Sequence, residues 1–194
     1  MNLVERAKNI LLQPKAEWPV IAAEPQSVQS LYTQYAMILA AIPAVAGFIG
    51  MSLIGISGFS YSYRVPIGSG LAQMVLSYVL GLGAVYVLAL IIDALAPQFG
   101  GTKDFISALK VAVFASTASW LGGIFMIIPM LGILSMLASL YGLYLLYTGL
   151  SPLMKSPPDR SVPYTVVIII AAIVLFVVVA AISAMVVPSP MRGF

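Results

Sequence analysis

The sequence predicts an all-α integral membrane protein with five transmembrane helices and a short amphipathic helix before them. Hydrophobic residues make up 61% of the 194 residues and charged residues only 8%, with a mean hydropathy of +1.07. A soluble domain usually carries about 25% charged residues. Residues 31–187 form an almost continuous apolar run, and its breaks leave five segments. Each segment has the roughly 20 residues that a helix needs to cross a bilayer core of about 30 Å.

Proline and glycine residues mark where the predicted spans end. The second span stops before Pro97, because proline lacks the backbone N–H that an α-helix needs. Pro129 and Gly132 predict a tight hairpin that divides the next long apolar run into two crossings. Pro43 is predicted to kink the first span, which neighbouring helices tolerate in a membrane. The predicted spans are Leu31–Ser57, Leu71–Leu95, Phe105–Ile128, Leu131–Leu150 and Tyr164–Val187.

The residues outside the spans divide into an arm and a tail. Residues 1–30 are predicted to form a cytoplasmic arm, residues 31–187 the membrane domain and residues 188–194 a short extracytoplasmic tail. Apolar residues at helical spacing in the arm predict an amphipathic helix at the membrane interface, with Trp18 as an interfacial anchor. The alternative is that the arm packs beneath the bundle as a plug. The apolar positions are Leu3, Val4, Ala7, Ile10 and Leu11.

The distribution of basic residues predicts the orientation. With the amino terminus in the cytoplasm, seven Lys and Arg residues lie inside and only Arg64 and Arg192 lie outside. Cytoplasmic loops collect Lys and Arg, so this bias places the carboxy terminus outside the cytoplasm. The reverse topology would place seven basic residues outside. The first thirty residues contain no apolar core with a small-residue cleavage site, so no signal peptide is predicted.

The composition excludes several kinds of chemistry. The chain has no cysteine, which excludes disulfides and thiolate chemistry, and no histidine, the commonest metal ligand and proton shuttle. There is no Gly-x-Ser-x-Gly nucleophile elbow and no phosphate-cradling loop. We therefore expect no enzyme activity and no cofactor. A scattered net charge of +3 gives no support for nucleic acid as a partner.

Charged residues inside the apolar runs are the candidates for a functional site. Asp93 lies near the end of the second span and Lys110 lies about two turns into the third. Charges within a membrane are costly, usually paired and often functional. The short connection between these spans predicts an Asp93–Lys110 ion pair, and Glu24 is a third candidate for the same polar cluster. The alternative is that Lys110 reaches the headgroups while Asp93 packs locally.

Tyr144 is a candidate interfacial or partner contact, together with Trp18. It lies in the fourth span between Tyr141 and Tyr147, in a repeat of three residues. The repeat predicts either a groove lined by hydroxyl groups or helix packing with the later tyrosines at the interface. Small residues spaced four apart favour close helix contact but do not distinguish internal packing from a homo-oligomer.

The chain resembles the Yip family, the Ypt/Rab-interacting membrane proteins, and in particular its small prokaryotic members. Its order of short motifs between Pro14 and Lys155 carries the resemblance, although Ala118 stands where the pattern would place a proline. The matching stretches are Pro14-Lys15-Ala16-Glu17-Trp18 with Ile21 and Glu24, Asp93-Ala94-Leu95-Ala96-Pro97 with Phe99-Gly100-Gly101, Ala108-Leu109-Lys110, Trp120-Leu121-Gly122-Gly123, and Leu143-Tyr144-Leu145-Leu146-Tyr147-Thr148-Gly149-Leu150 with Pro152, Met154 and Lys155.

The resemblance implies a helical domain in the bacterial inner membrane with its amino terminus in the cytoplasm. Eukaryotic relatives bind small GTPases and shape membranes in vesicle trafficking. The short arm lacks their longer cytosolic region, so the GTPase role is not carried over. We expect a non-enzymatic protein that organises the lipid bilayer or partner proteins, either membrane or cytoplasmic. The alternative is a small-solute or ion transporter or channel that uses the charged cluster.

Overall fold

The computed structural model describes residues 2–57 and 62–186, and it is helical apart from one short strand pair. Within these residues five helices are long and apolar enough to cross a membrane, which confirms the predicted fold class. We number them spans 1 to 5: Val28–Ile54, Ile67–Phe99, Phe105–Ile127, Pro129–Met154 and Asp159–Met185. Val187 and the tail at 188–194 lie outside the described residues.

Two short helices precede the spans, α1 (Leu3–Leu12) and α2 (Pro14–Ala23). The side chain of Asn2 caps α1 by accepting a hydrogen bond from Val4 N at 3.1 Å, which satisfies a backbone donor that a helix start leaves unpaired. Proline at the first position of α2 suits a helix start because its missing N–H has no partner there. Within the predicted arm of residues 1–30, residues 3–23 therefore form a helical hairpin.

Span 1 alternates between two kinds of helix. Ser27 and Ser30 form a reciprocal capping box at its start, which lies three residues before the predicted one. Two wider π-helical segments interrupt the α-helix, and such segments are rare and often occur at functional sites. The order is α-helix Val28–Leu31, π-helix Tyr32–Ala36, α-helix Met37–Phe48 and π-helix Ile49–Ile54.

Span 2 begins after a minimal strand pair, β1 (Ile56–Ser57) and β2 (Ser62–Tyr63). Its α-helix, Ile67–Leu95, ends before Pro97 as predicted and continues as a 3-10 turn, Ala96–Phe99. Gly100 follows with φ of 73°, a conformation that side chains disfavour. Thr102 N then donates to Met154 O at 2.8 Å. This bond joins the loop after span 2 to the end of span 4.

Span 3 consists of helices Phe105–Ala115 and Thr117–Gly122 followed by the 3-10 segment Gly123–Ile127. The break falls at Ser116, whose hydroxyl donates to Ala112 O at 2.8 Å and so bonds to its own helix. Asp104 caps the start by accepting from Ile106 N at 3.1 Å. Hydrogen bonds from the side chain and backbone of Ser107, and from Ile106 N, lower the pKa of the Asp104 carboxyl below its usual value.

The predicted hairpin between spans 3 and 4 is confirmed. Ile128 is extended, a short 3-10 turn covers Pro129–Leu131, and the α-helix of span 4 runs from Gly132 to Met154. Span 5 lies within the α-helix Pro158–Val186. Spans 4 and 5 therefore lie where they were predicted. Span 4 ends at Met154 and not at Leu150, and span 5 begins at Asp159 and not at Tyr164.

Span 3 forms the centre of the bundle. In its most apolar stretch 61% of the residues are buried inside the protein, against 11% for span 5. All residues from Ala108 to Ala115 are buried. Neighbouring spans run in opposite directions, so one end of the bundle contains the start of spans 1, 3 and 5 and the end of spans 2 and 4. We call it the arm end because α2 leads into span 1 there.

Candidate functional site at the docked arm

The arm docks into the helix bundle. Helix α2 packs along span 4, and α1 packs against α2 and the second helix of span 3. Two hydrogen bonds tie the arm to span 4: Trp18 Nε1 donates to Thr148 Oγ1 at 3.0 Å, and Tyr141 Oη donates to Leu11 O at 2.6 Å. Ile10 and Trp18 are completely buried. The arm is therefore part of the protein core, as in the alternative of a plug.

Trp18 is a core residue, so the prediction of an interfacial anchor is wrong. Its ring meets the Phe114 ring edge to face, with 6.5 Å between the centroids. It also lies over Gly149, where an added Cβ would be 2.6 Å from Trp18 Cζ2. The sequence showed a tryptophan close to a span but not the groove in span 4 that receives it. Tyr144, in contrast, is 40% exposed and remains a candidate contact.

Arg6 is the buried centre of the site. Its guanidinium pairs with the carboxylates of Glu17 on α2 and of Glu24 after α2. Arg6 and Glu17 are both more than nine-tenths buried, while about a third of the Glu24 side chain is exposed. A forked guanidinium can hold two carboxylates at once, so one arginine connects α1 to both ends of α2.

Lys110 of span 3 binds the end of α2. Its Nζ donates to Glu24 O at 2.7 Å and to Ile21 O at 2.9 Å, and the residue is only 4% exposed. These carbonyls belong to the last turn of α2 and the residue after it, which leave acceptors without partners inside the helix. A cation there also interacts favourably with the helix dipole. Lys110 therefore contacts Glu24 through its backbone carbonyl, whereas the prediction was a cluster of charged side chains.

Asp93 is not part of this cluster, and its predicted ion pair with Lys110 is wrong. Among the described residues the two ion pairs are those of Arg6. Asp93 is 8% exposed, and its Oδ1 is buried without a hydrogen-bond partner in the described structure. The backbone carbonyl of the preceding residue, Ile92, accepts a hydrogen bond from Tyr164 Oη of span 5. The short loop brings the two helix ends together but does not set which way each side chain points.

Arg6 and Glu17 were not among the site residues predicted from the sequence. A signal was present, because Arg6 lies three residues after Leu3 and four before Ile10, on the apolar face of α1. A charge on such a face needs a partner when the face is buried.

Thr117 was also absent from the predicted site residues. Its hydroxyl lies 2.9 Å from Tyr35 Oη, and both residues are fully buried.

The effects of Asp93→Asn and Lys110→Gln on thermal stability are expected to add. Each residue has different neighbours, and residues without shared partners usually show additive effects within about 0.5 kcal/mol. Unfolding of both single variants and the double variant in detergent measures the coupling. A coupling energy above about 1 kcal/mol would show that the two charges interact after all.

Comparison with known proteins gives a family for this arrangement. A sequence model described as the Yip1 domain matches residues 8–181, from within α1 to within span 5. The chain is 25% identical over 156 residues to "Inner membrane protein YohC" of Escherichia coli strain K12, covering 78% of this chain and 80% of that protein. The protein of the same name from strain CFT073 matches equally well. No solved structure matches the chain.

Proposed function

This chain belongs to the Yip1 domain family of multi-pass membrane proteins, and from that premise we propose that it is a non-enzymatic protein that organises the membrane or a partner protein through its docked arm. The observation that supports this is the buried Arg6–Glu17 pair, which holds α1 against α2. Lys110 holds the end of α2 in the same way. These charges stabilise a fixed surface and are not free to bind a substrate.

The outer face of the arm is the surface proposed to make contact. Val4 and Leu12 are 73% and 68% exposed, although both are apolar. Lys8 and Lys15 are exposed on the same two helices. Apolar side chains among basic ones suit either anionic headgroups at a membrane surface or an apolar partner protein with acidic residues. Exposed Tyr144 in span 4 is a second candidate contact.

The arm face is tested by a double variant that leaves the core intact. Val4→Ser with Leu12→Ser removes exposed apolar groups only, and Ile67→Ser is the matched control at the opposite end of the bundle, where Ile67 is 59% exposed. We expect proteins or lipids crosslinked to a photoreactive group at position 8 to be lost in the double variant and kept in the control. No reproducible adduct with the chain that carries the photoreactive group at position 8 and no other change, together with normal membrane morphology when the protein is deleted, would overturn the proposal.

The proposed location is the bacterial inner membrane, with the amino terminus and arm end in the cytoplasm. The seven-to-two bias of basic residues supports this orientation. A reporter inserted near Pro157 is expected to show a cytoplasmic location, and one fused after Phe194 an extracytoplasmic one. Both reporters on the same side would contradict a five-span topology, and exchanged sides would reverse the orientation.

A transporter or channel is the second candidate, and the unpartnered Oδ1 of Asp93 favours it. A buried carboxylate oxygen without a partner is costly and is often kept for function. Liposomes that contain the purified protein would test ion and solute flux. Flux that Asp93→Asn abolishes would favour this candidate over an organising role, and the absence of flux would reject it.

A further inference from the structure

A second feature of the bundle lies away from the arm, between spans 1 and 2. A cavity of about 430 Å³ is lined mainly by residues of these spans, together with Trp120 and Met126 of span 3. Most of its lining side chains are half-buried, so the cavity is open at one side. The neighbours Val45 and Val75 are 45% and 57% exposed. In a membrane this opening faces the lipid.

The lining combines an apolar wall with a few uncharged polar groups. Ser52, Ser77 and Tyr78 supply three hydroxyls and Gln73 an amide, and no charged residue lines the cavity. The hydroxyls of Ser77 and Tyr78 already donate to the backbone carbonyls of Met74 and Met37. Ser52 is 6% exposed, and its Oγ is buried without a hydrogen-bond partner in the described residues. Ligand pockets usually have this composition, with apolar walls and few polar groups that orient the ligand.

Two of the polar groups lie towards one end of the cavity. Gln73 is six residues from the start of span 2 and Ser52 is two residues from the end of span 1, so both are near the end of the bundle opposite the arm. Gly81 lines the cavity eight residues further along span 2, about 12 Å deeper at the rise of an α-helix. Ser77 and Tyr78 lie about 6–8 Å beyond Gln73 along the helix, so polar groups extend part of the way inwards, and the span 2 lining beyond them, at Gly81, is apolar.

We propose that this cavity binds one hydrocarbon chain of an amphiphile with an uncharged, hydroxyl-bearing polar end, such as a monoacylglycerol. The chain lies along the apolar wall, and the polar end bonds to the half-buried amide of Gln73. An open apolar cavity in a bilayer takes up hydrocarbon because water gains no hydrogen bonds there. The absence of charge in the lining selects against phosphate-bearing headgroups, which would lose their hydration without gaining a cation.

Two glycines provide the test. An added Cβ at Gly81 or at Gly47, which also lines the cavity, would meet nothing within 4 Å. Gly81→Leu therefore adds a side chain to the cavity wall at a position where its Cβ has open space. Gly83 is the matched control, because it lies two residues away on the same helix, is exposed outside the cavity and has equally open space. Gly47→Leu repeats the test from span 1 if Gly81→Leu does not fold.

The experiment uses the full chain in detergent micelles with a monoacylglycerol that carries a diazirine in its chain. We expect saturable labelling of spans 1 and 2, blocked by unlabelled monoolein. Gly81→Leu should reduce it at least about tenfold, because the new side chain displaces several buried methylene groups, and Gly83→Leu should leave it unchanged. Labelling that is not saturable, or equal in both variants, would overturn the proposal. Equal competition by lysophosphatidylglycerol would overturn the preference for an uncharged end.

Discussion

Replacing Arg6 by alanine is expected to destabilise the folded protein by about 3–5 kcal/mol, the usual cost of breaking a buried ion pair. The reason is that Glu17 is only 8% exposed and would keep a buried carboxylate without a cation. Glu24 would lose its partner at lower cost because a third of its side chain is exposed. Unfolding in detergent measures the loss.

Two comparison variants make the Arg6 result specific. Lys8→Ala removes an exposed cation from the same helix and should change stability by no more than about 0.5 kcal/mol. Arg6→Met with Glu17→Leu removes both buried charges and should recover most of the loss, since apolar replacements of a buried pair are often neutral. A loss no larger than that of Lys8→Ala would mean that the arm is not held by this pair.

Gly149→Ala is expected to destabilise the protein by about 1–3 kcal/mol, the usual cost of overpacking a core. The new Cβ would lie 2.6 Å from Trp18 Cζ2, so the fully buried ring would have to move. Gly83→Ala is the control. It meets nothing within 4 Å and should stabilise its helix by up to about 1 kcal/mol. The two glycine substitutions thus have opposite expected signs.

Rescue by a smaller ring tests whether Trp18 is the cause. Phenylalanine lacks the outer indole atoms that the new Cβ would meet, so Trp18→Phe should cost less in the Gly149→Ala background than in the natural chain. The difference is a coupling energy between contacting residues, expected to be about 0.5–3 kcal/mol. Additive effects of the two substitutions would show that the arm can move away from span 4 without cost.

If the arm is a structural part of the bundle, the proposed contact surface on its outer face depends on the contacts that dock it. An arm held by the Arg6 contacts to two carboxylates, one of them buried, and by Lys110 presents its exposed residues in a fixed geometry. Variants that loosen it should then affect contacts made by its outer face. Arg6→Ala and the Val4 and Leu12 substitutions would weaken the same contact by different routes, the first by undocking the arm and the second by changing its surface.

The five spans and most of their ends followed from the sequence itself. Proline cannot donate a backbone hydrogen bond, so the α-helix of span 2 ends before Pro97, at a position that the sequence alone identifies. The hairpin at Pro129 was predictable for the same reason. Length and hydropathy are local properties, and the bilayer requires every crossing to satisfy its own backbone. The family resemblance likewise depended on the order of local motifs.

Only the tertiary structure decided what the charged residues do. Lys110 and Asp93 lie close to one short loop, yet Lys110 is turned to the end of α2 and the side chain of Asp93 has no charged partner in the described residues. The rotation of each helix about its axis determines these contacts, and packing against distant elements sets that rotation. The burial of Trp18 likewise depends on a distant residue, because its ring packs over Gly149, 131 positions later in the chain. Spacing along one helix carries no information about a groove formed by another.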